Sequence, residues 1–537
     1  MPKKTTDNSA HETIFAGGTV LAGPSQTPQA NWSVVTANGS IVAVGPADAM
    51  RSAHPNARVV DVHGATVMPG LTDAHGHLYG LGLSLDTVNV VGSPSFAEVV
   101  AKVRERARRA ATGEWILGRG WDQNRWPDKQ FPTAAPLDAA IADHPVWIRR
   151  VDGHAGVANS AAMRAAGVTA ATPDPEGGRI LRDSAGNPTG VFVDGAMHLI
   201  DSKVPAPSAE LRKARVLAAS QKIAENGLTE MHDAGAEQST ITAIQQLIDE
   251  HKFPIRVYVM LTDDAALLDS WLTHKPLIGY GRRLTVRAVK MYADGALGSR
   301  GAAMLAPYSD DPSNTGLLLS KPEHMLEVAR RARAAGYQAN THAIGDRGVR
   351  NVIDAYEQAG ATSADRFRVE HFQVVAPSDF ARLAQHGIIA SMQPTHATSD
   401  MPWAEARVGP ERIKGAYAWR TVLNSGARLA LGSDFPVEDV NPFFGIYSAV
   451  TRQDQKGNPP GGWYPDQKLT LPEAIRGFTY DAAYAAFEES SRGTIEPGKL
   501  ADLTIVEGDL YASPQSQLFA TKVRYTVVGG EVVYGRK

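Results

Sequence analysis

The stretch "LTDAHGHLYG" at residues 71–80 sets His75 and His77 two apart just past an apolar run, with only a glycine between them. Side chains alternate along a strand, so residues two apart share a face. Leu71, Asp73, His75 and His77 would then line one side, and both imidazoles could converge on one ion. The pair alone is a weak signal, because a polar turn that contains two histidines looks the same. Its meaning depends on what recurs further along the chain.

Seven later stretches read as strands: "GLTEMHDA" (227–234), "IRVYVML" (255–261), "LTVRAVKMYAD" (284–294), "GYQANTHA" (336–343), "FRVEHFQV" (367–374), "GIIASMQP" (387–394) and "ARLALGSD" (427–434). Amphipathic helical stretches such as "PEHMLEVARRARAAG" and "PSDFARLAQHG" lie between several of them, each ending at a glycine suited to a helix C-cap. With the strand before His75 this makes eight, the number a (β/α)8 barrel needs. Alternation puts Val286, Ala288 and Lys290 on one face, Gln338, Asn340 and His342 on another, and Phe367, Val369 and His371 on a third. Arg428, Ala430, Gly432 and Asp434 form the last set. A coordinating or ionisable residue thus closes strands one, four, five, six and eight, at the carboxyl ends where barrel enzymes place their active sites.

The two chain ends have a different texture. "NWSVVTANGSIVAVG" pairs short strands across Asn38-Gly39, and "KVRYTVVGGEVVYG" does so across Gly529-Gly530. Neither end has enough strands to bury an apolar face alone. Residues 1–68 and 486–537 are therefore expected to build one small β-sandwich, with the barrel over 69–485. The gap between the first and second strands far exceeds a normal βα connection. Residues from about 79 to 205 are read as an insertion at the barrel mouth, forming a lid or substrate region.

The constellation resembles the amidohydrolase superfamily. "KMYADGALGSRGA", "THAIGDRG", "VEHFQVV", "LGSDFPVEDVNPF" and "RGTIEPGKLADLTIV" look like its YtcJ-like branch, amidohydrolase family 3, over residues 14 to 535. The resemblance implies a distorted (β/α)8 TIM barrel in the α/β class, with metal ligands His75, His77, Lys290, His342, His371 and Asp434. It implies that Lys290 reacts with CO2 to give a carbamate that bridges two metals, the alternative being a neutral Lys290 beside one ion. It also implies hydrolysis of a C–N bond in a non-peptide amide, an N-substituted formamide or another secondary amide. Asp434 then serves as the acid/base group as well as a ligand.

The chain has 537 residues and no cysteine, which removes disulfides, thiolate nucleophiles and Cys-ligated metals together. Nitrogen and carboxylate ligands with an open position suit zinc best, one ion or two, with Mn, Fe, Co or Ni left open. With 54 basic against 57 acidic residues, nothing points to a nucleic-acid partner. The start "MPKKTTDNSAHETIFAGG" lacks an apolar h-region and no stretch approaches eighteen apolar residues, so the chain reads as soluble and cytoplasmic, with no membrane partner. Oligomeric state stays open, a homodimer being one option.

Trp121, Trp126, Trp403, Tyr417 and Trp419 fall in loops that would surround the mouth. Of these Trp121 and Trp403, with His154 and His396, are candidate substrate contacts, although simple packing explains each equally. His232 ends the second strand without an assigned role, and Asp346 with Arg347 reads as a structural pair. Two other functions compete: the same site could cleave an ester, lactone or carbamate, or the fold could serve a non-catalytic regulatory protein. The pocket decides the first, and the complete ligand set speaks against the second.

Overall fold

The computed structural model describes residues 12–23 and 27–536. Residues 1–11, which hold most of the segment read for a leader, lie outside that range. The centre of the molecule is a nearly closed barrel of eight parallel strands. They are β1 (Leu71–Gly76), β2 (Leu228–Ala236), β3 (Arg256–Thr262), β4 (Leu284–Tyr292), β5 (Gln338–Ala343), β6 (Arg368–His371), β7 (Ile389–Met392) and β8 (Leu429–Leu431). Spatial order follows chain order, each strand pairing with the next. Every residue of β1, β5, β6, β7 and β8 is buried, as expected for a parallel sheet covered on both faces.

Local chemistry sets the helices between the strands. Pro322–Ala335 starts with proline at its first turn and stops at Gly336, whose φ of 83° is the left-handed cap that glycine adopts without strain. Met325, Val328, Ala329 and Ala332 form its buried stripe and join the core shared with Val289 of the barrel wall and Val352 of the helix Asp346–Gln358. Strands β6 to β8 are shorter than their apolar runs because the chain leaves the sheet early to build the mouth. His371, Phe372 and Asp434 take φ values of 71°, 43° and 63° where it does so.

No ladder joins β8 to β1 among the described residues. A carboxylate closes the seam instead. Asp73 accepts hydrogen bonds from the Ser433 backbone N–H at 3.1 Å, the Ser433 hydroxyl at 2.6 Å and the His75 N–H at 3.1 Å. The Asp434 N–H then donates to the His75 carbonyl at 2.7 Å.

Between β1 and β2 the helix Leu78–Asp86 first packs Leu78 and Leu81 into the barrel core. The chain then builds a separate six-stranded sheet from Val88–Asn89, Ile116–Trp121, Val146–Arg150, Ala155–Ala158, Gly178–Arg182 and Pro188–Asp194. Helix Ala209–Glu225 returns to the barrel. The two chain ends contribute to one continuous eight-stranded sheet, in which Leu503–Val506 pairs antiparallel with Thr66–Pro69. This sheet curls, so that Ile41 near one edge and Val527 near the other share a core with Phe15, Val67 and Ile505. Asn38 and Gly39 (φ 52° and 84°) make the tight turn of one hairpin, Gly529 and Gly530 (61° and 79°) that of another.

Gly432 has no room for a side chain at the seam: a Cβ would lie 2.5 Å from Asp73 Oδ1 and 2.6 Å from the His75 nitrogen. Gly432→Ala is expected to lose about 1–3 kcal/mol of stability by overpacking, seen as a lower midpoint in scanning calorimetry. An unchanged midpoint would show that the seam has slack.

Candidate metal centre

Strand ends and three short breaks in regular backbone, at His77, His371 and Asp434, bring the polar side chains together. His75 lies near the end of β1, and His77 follows it as the residue that opens the next helix. His371 and Asp434 turn inward through left-handed backbone, a conformation costly for non-glycine residues and concentrated at functional sites. Lys290 and His342 stand near the ends of β4 and β5.

Distances show how tightly they meet. His77 Nε2 lies 3.0 Å and His75 Nε2 3.6 Å from Asp434 Oδ1, yet that oxygen accepts no hydrogen bond. The ring centroids of His75 and His371 are 4.7 Å apart, and those of His342 and His371 4.5 Å. Lys290 Nζ is 3.3 Å from His75 Nε2 and 4.6 Å above the Tyr292 ring. Two overlapping donor groups result, His75–His77–Asp434 and His371–His396–Asp434, each with donor atoms within 4.8 Å of one another.

The second ring nitrogens are taken up elsewhere. His75 Nδ1 donates to Glu370 Oε2 at 2.6 Å and His371 Nδ1 to Gln393 Oε1 at 2.8 Å, which leaves each Nε2 as a lone-pair donor toward the site. His342 instead contacts the Gly295 carbonyl through Nε2 at 3.4 Å, so Nδ1 is its remaining donor atom. Burial holds His75, His342 and His371 well below their ordinary pKa, as neutral imidazoles. Asp434 is pushed up by burial but held well below the usual carboxylate range by His396, His77 and His75. The neutral imidazoles of His75 and His371 beside an ionised carboxylate oxygen that accepts no hydrogen bond suit a divalent cation.

Residues 58–534 match the Amidohydrolase family. The chain belongs to the amidohydrolase family. It is 33% identical to YtcJ of Bacillus subtilis, covering 94% of this chain and 96% of that protein. It is 28% identical to the N-substituted formamide deformylase of Arthrobacter pascens, over 94% and 95% of the two chains. The crystal structure of an uncharacterized metal-dependent hydrolase from Pyrococcus horikoshii superposes with a TM-score of 0.77 at 27% identity, covering 94% of this chain and 99% of that one.

Within this amidohydrolase barrel a cavity of about 580 Å³ is lined by five of the six expected ligands, His77, Lys290, His342, His371 and Asp434, while His75 is fully buried beside it. His154, His396 and Trp403 line it. His154 Nδ1 bonds Asp194 Oδ1 at 2.7 Å, and His396 bridges Asp434 Oδ2 at 3.3 Å to Glu438 Oε1 at 3.2 Å. Trp121 does not reach the cavity. It is fully buried in the insertion's own core against Trp126 and Phe131, with its indole N–H on the Ile148 carbonyl at 2.7 Å. Trp126, Tyr417 and Trp419 are likewise packing residues: Trp126 bonds the Ser93 carbonyl, Tyr417 donates to Asp400, and Arg452 stacks on Trp419. His232 sits beneath the site, with Nδ1 accepting from Arg368 at 3.0 Å. Asp346 and Arg347 do not pair, since Asp346 accepts from the Leu305 N–H and Arg347 is exposed.

Alternation could not locate Glu370 or Gln393, because their partners His75 and His371 come from other strands or from left-handed backbone. Glu370→Gln keeps the shape but exchanges the carboxylate for a weaker acceptor. Metal affinity is expected to fall about 10- to 100-fold, read as metal retained after dialysis against graded chelator. Equal retention would remove Glu370 from the site's support.

Proposed function

We propose that this chain hydrolyses a C–N bond of a non-peptide amide, an N-substituted formamide or other secondary amide, with a divalent cation, zinc being the best match to the donors. The observation that carries the reading is Asp434: ionised, buried, and set between two histidine groups with Oδ1 free of hydrogen bonds. The donors for the ion are His75, His77, His342, His371, Asp434 and modified Lys290. A bound divalent cation supplies Lewis acidity, polarising a carbonyl and lowering the pKa of water from 15.7 to about 7.

Asp434 accepts the proton of the attacking water and returns it to the departing nitrogen. That second transfer matters as much as the first, because an amine anion is a poor leaving group. His396, with Glu438 behind it, fixes Oδ2 and leaves Oδ1 to face the reacting water. Lys290 has no carboxylate within 4 Å among the described residues, so as an ammonium it would be a buried cation beside a cation site. Its neutral nitrogen attacks CO2, one N–H proton leaves, and the product is an anionic carbamate that can ligate. Burial lowers this amine to about 8, which raises the neutral fraction that such an attack needs. Likeness to a formamide deformylase supports the amide class, and the Trp403 wall suits an apolar substituent on it.

Asp434→Asn should lower kcat by about 10²- to 10⁴-fold on a panel of formamides and acetamides, with metal content unchanged by plasma emission. Turnover like the wild type would remove Asp434 from the proton-transfer role. Lys290→Ala should lose activity and regain part of it with added short carboxylic acids, which replace the carbamate. Full activity of that variant without any added acid would argue against the carbamate.

A further inference from the structure

Five arginines line the cavity, and four of them have a carboxylate within 4 Å. Arg125 lies 3.8 Å from Asp122, Arg149 2.8 Å from Asp201, Arg150 2.6 Å from Asp122, and Arg212 3.5 Å from Glu237. Arg119 has no carboxylate within that distance among the described residues. It belongs to the insertion strand Ile116–Trp121, pairs in register with Arg149, and faces the same cavity as His77, Lys290 and Asp434. Its Nε and Nη2 donate to a single carbonyl, that of Val151, at 3.2 and 2.8 Å. That grip orients the guanidinium plane and leaves Nη1 without a protein partner among the described residues.

The surroundings make room for this group, and the carboxylates that act on it, Asp434 and Asp152, do so without an ion pair within 4 Å. Gly153, at φ 78°, leaves space where a Cβ would come within 3.3 Å of Nη2. The nearest carboxylate on the adjoining loop, Asp152, is already held by Arg150. A partly buried cation with no counter-ion in contact is costly, and an arriving anion recovers that cost through charge-assisted hydrogen bonds in the fork geometry that suits guanidinium.

We infer that Arg119 receives a carboxylate carried by the substrate, so that the preferred amides are monoanions of the N-acyl amino acid kind. The inference rests on the amide-hydrolase reading above and narrows its substrate class. One unpaired cation balances one negative charge. A dianionic phosphate would bring a second negative charge onto walls that also carry the Asp233, Asp400 and Glu438 carboxyl groups.

The test uses matched pairs on the metal-loaded protein: N-formylphenylalanine against N-formylphenethylamine, and N-benzoylglycine against N-methylbenzamide, each differing only by the carboxylate. The wild type should favour the acid in kcat/KM. Arg119→Met should shrink the acid-to-neutral ratio about 10- to 100-fold, mainly through KM, and Arg119→Lys should keep part of it. A wild type that hydrolyses the neutral members as well as the acids overturns the inference and leaves the amide-hydrolase reading intact. Inactivity toward both members of every pair counts against that reading instead. Arg119 is then judged by calorimetry of the two acids on wild type and Arg119→Met: weaker binding by the variant supports the anion site, and equal binding overturns it.

Discussion

The Asp73 carboxylate at the seam between β8 and β1 is the contact on which the candidate site depends. A barrel that closed by a regular ladder would space its strand ends by hydrogen-bond register alone. Here Asp73 takes three donors from Ser433 and His75, and the His75 carbonyl takes the Asp434 N–H. The backbones of a histidine donor and of the acid/base candidate are thereby clamped to each other. Burial drives Asp73 up to about 7 in spite of those donors, because the seam is closed to water. Dry polar contacts of this kind are stiff, because leaving any member unpaired costs more than the bond itself gains.

A second polar layer lies below. Arg368 is fully buried in the barrel, donating to the Ala74 and Ala485 carbonyls and to His232 Nδ1, with Glu370 Oε1 at 3.9 Å. Glu370 in turn holds His75 by its other oxygen. The barrel interior beneath the site thus sets buried charged groups among small apolar clusters such as Ala74 with Ala430 and Met260 with Ala288. Of the two Glu370 oxygens, one holds His75 and the other faces Arg368 without a hydrogen bond.

The eight strands, their order and the glycine-capped helices were legible because each rests on a local rule: apolar runs, left-handed caps and short connections. The six polar residues at five strand ends were legible because the pattern recurs. The sharing of faces was less so. Phe367, Val369 and His371 are two apart, yet Phe367 and Val369 pack outward with Tyr356 while Arg368 and Glu370 face inward. His371 reaches the site because its backbone turns left-handed at the strand end, and a period of two has no term for that. Trp121 misled for a related reason: an insertion large enough to need its own core claims its tryptophans for packing. Arg119 and Asp194 carry no sequence signal, since what distinguishes them is whether a partner folds against them.

The insertion and the barrel divide the cavity between them and meet at several points, among them Asn124 with Arg407 and Glu176 with Lys321. Asp194, at the end of an insertion strand, adopts φ 48° and ψ −123°, a strained backbone for aspartate. Its Oδ1 holds His154, and its Oδ2 packs so closely on the loop after β4 that a Cβ at Gly295 or Gly301 would lie 2.6 or 2.5 Å away. The same loop presents the Gly295 carbonyl to His342. One strained residue therefore locks the insertion to the backbone that orients a candidate metal ligand, while Arg119 and His154 face the cavity from the insertion side. Asp194 is thus a place where the insertion bears directly on the backbone beneath a candidate metal ligand, so the cavity wall and the candidate donors are not built independently of each other.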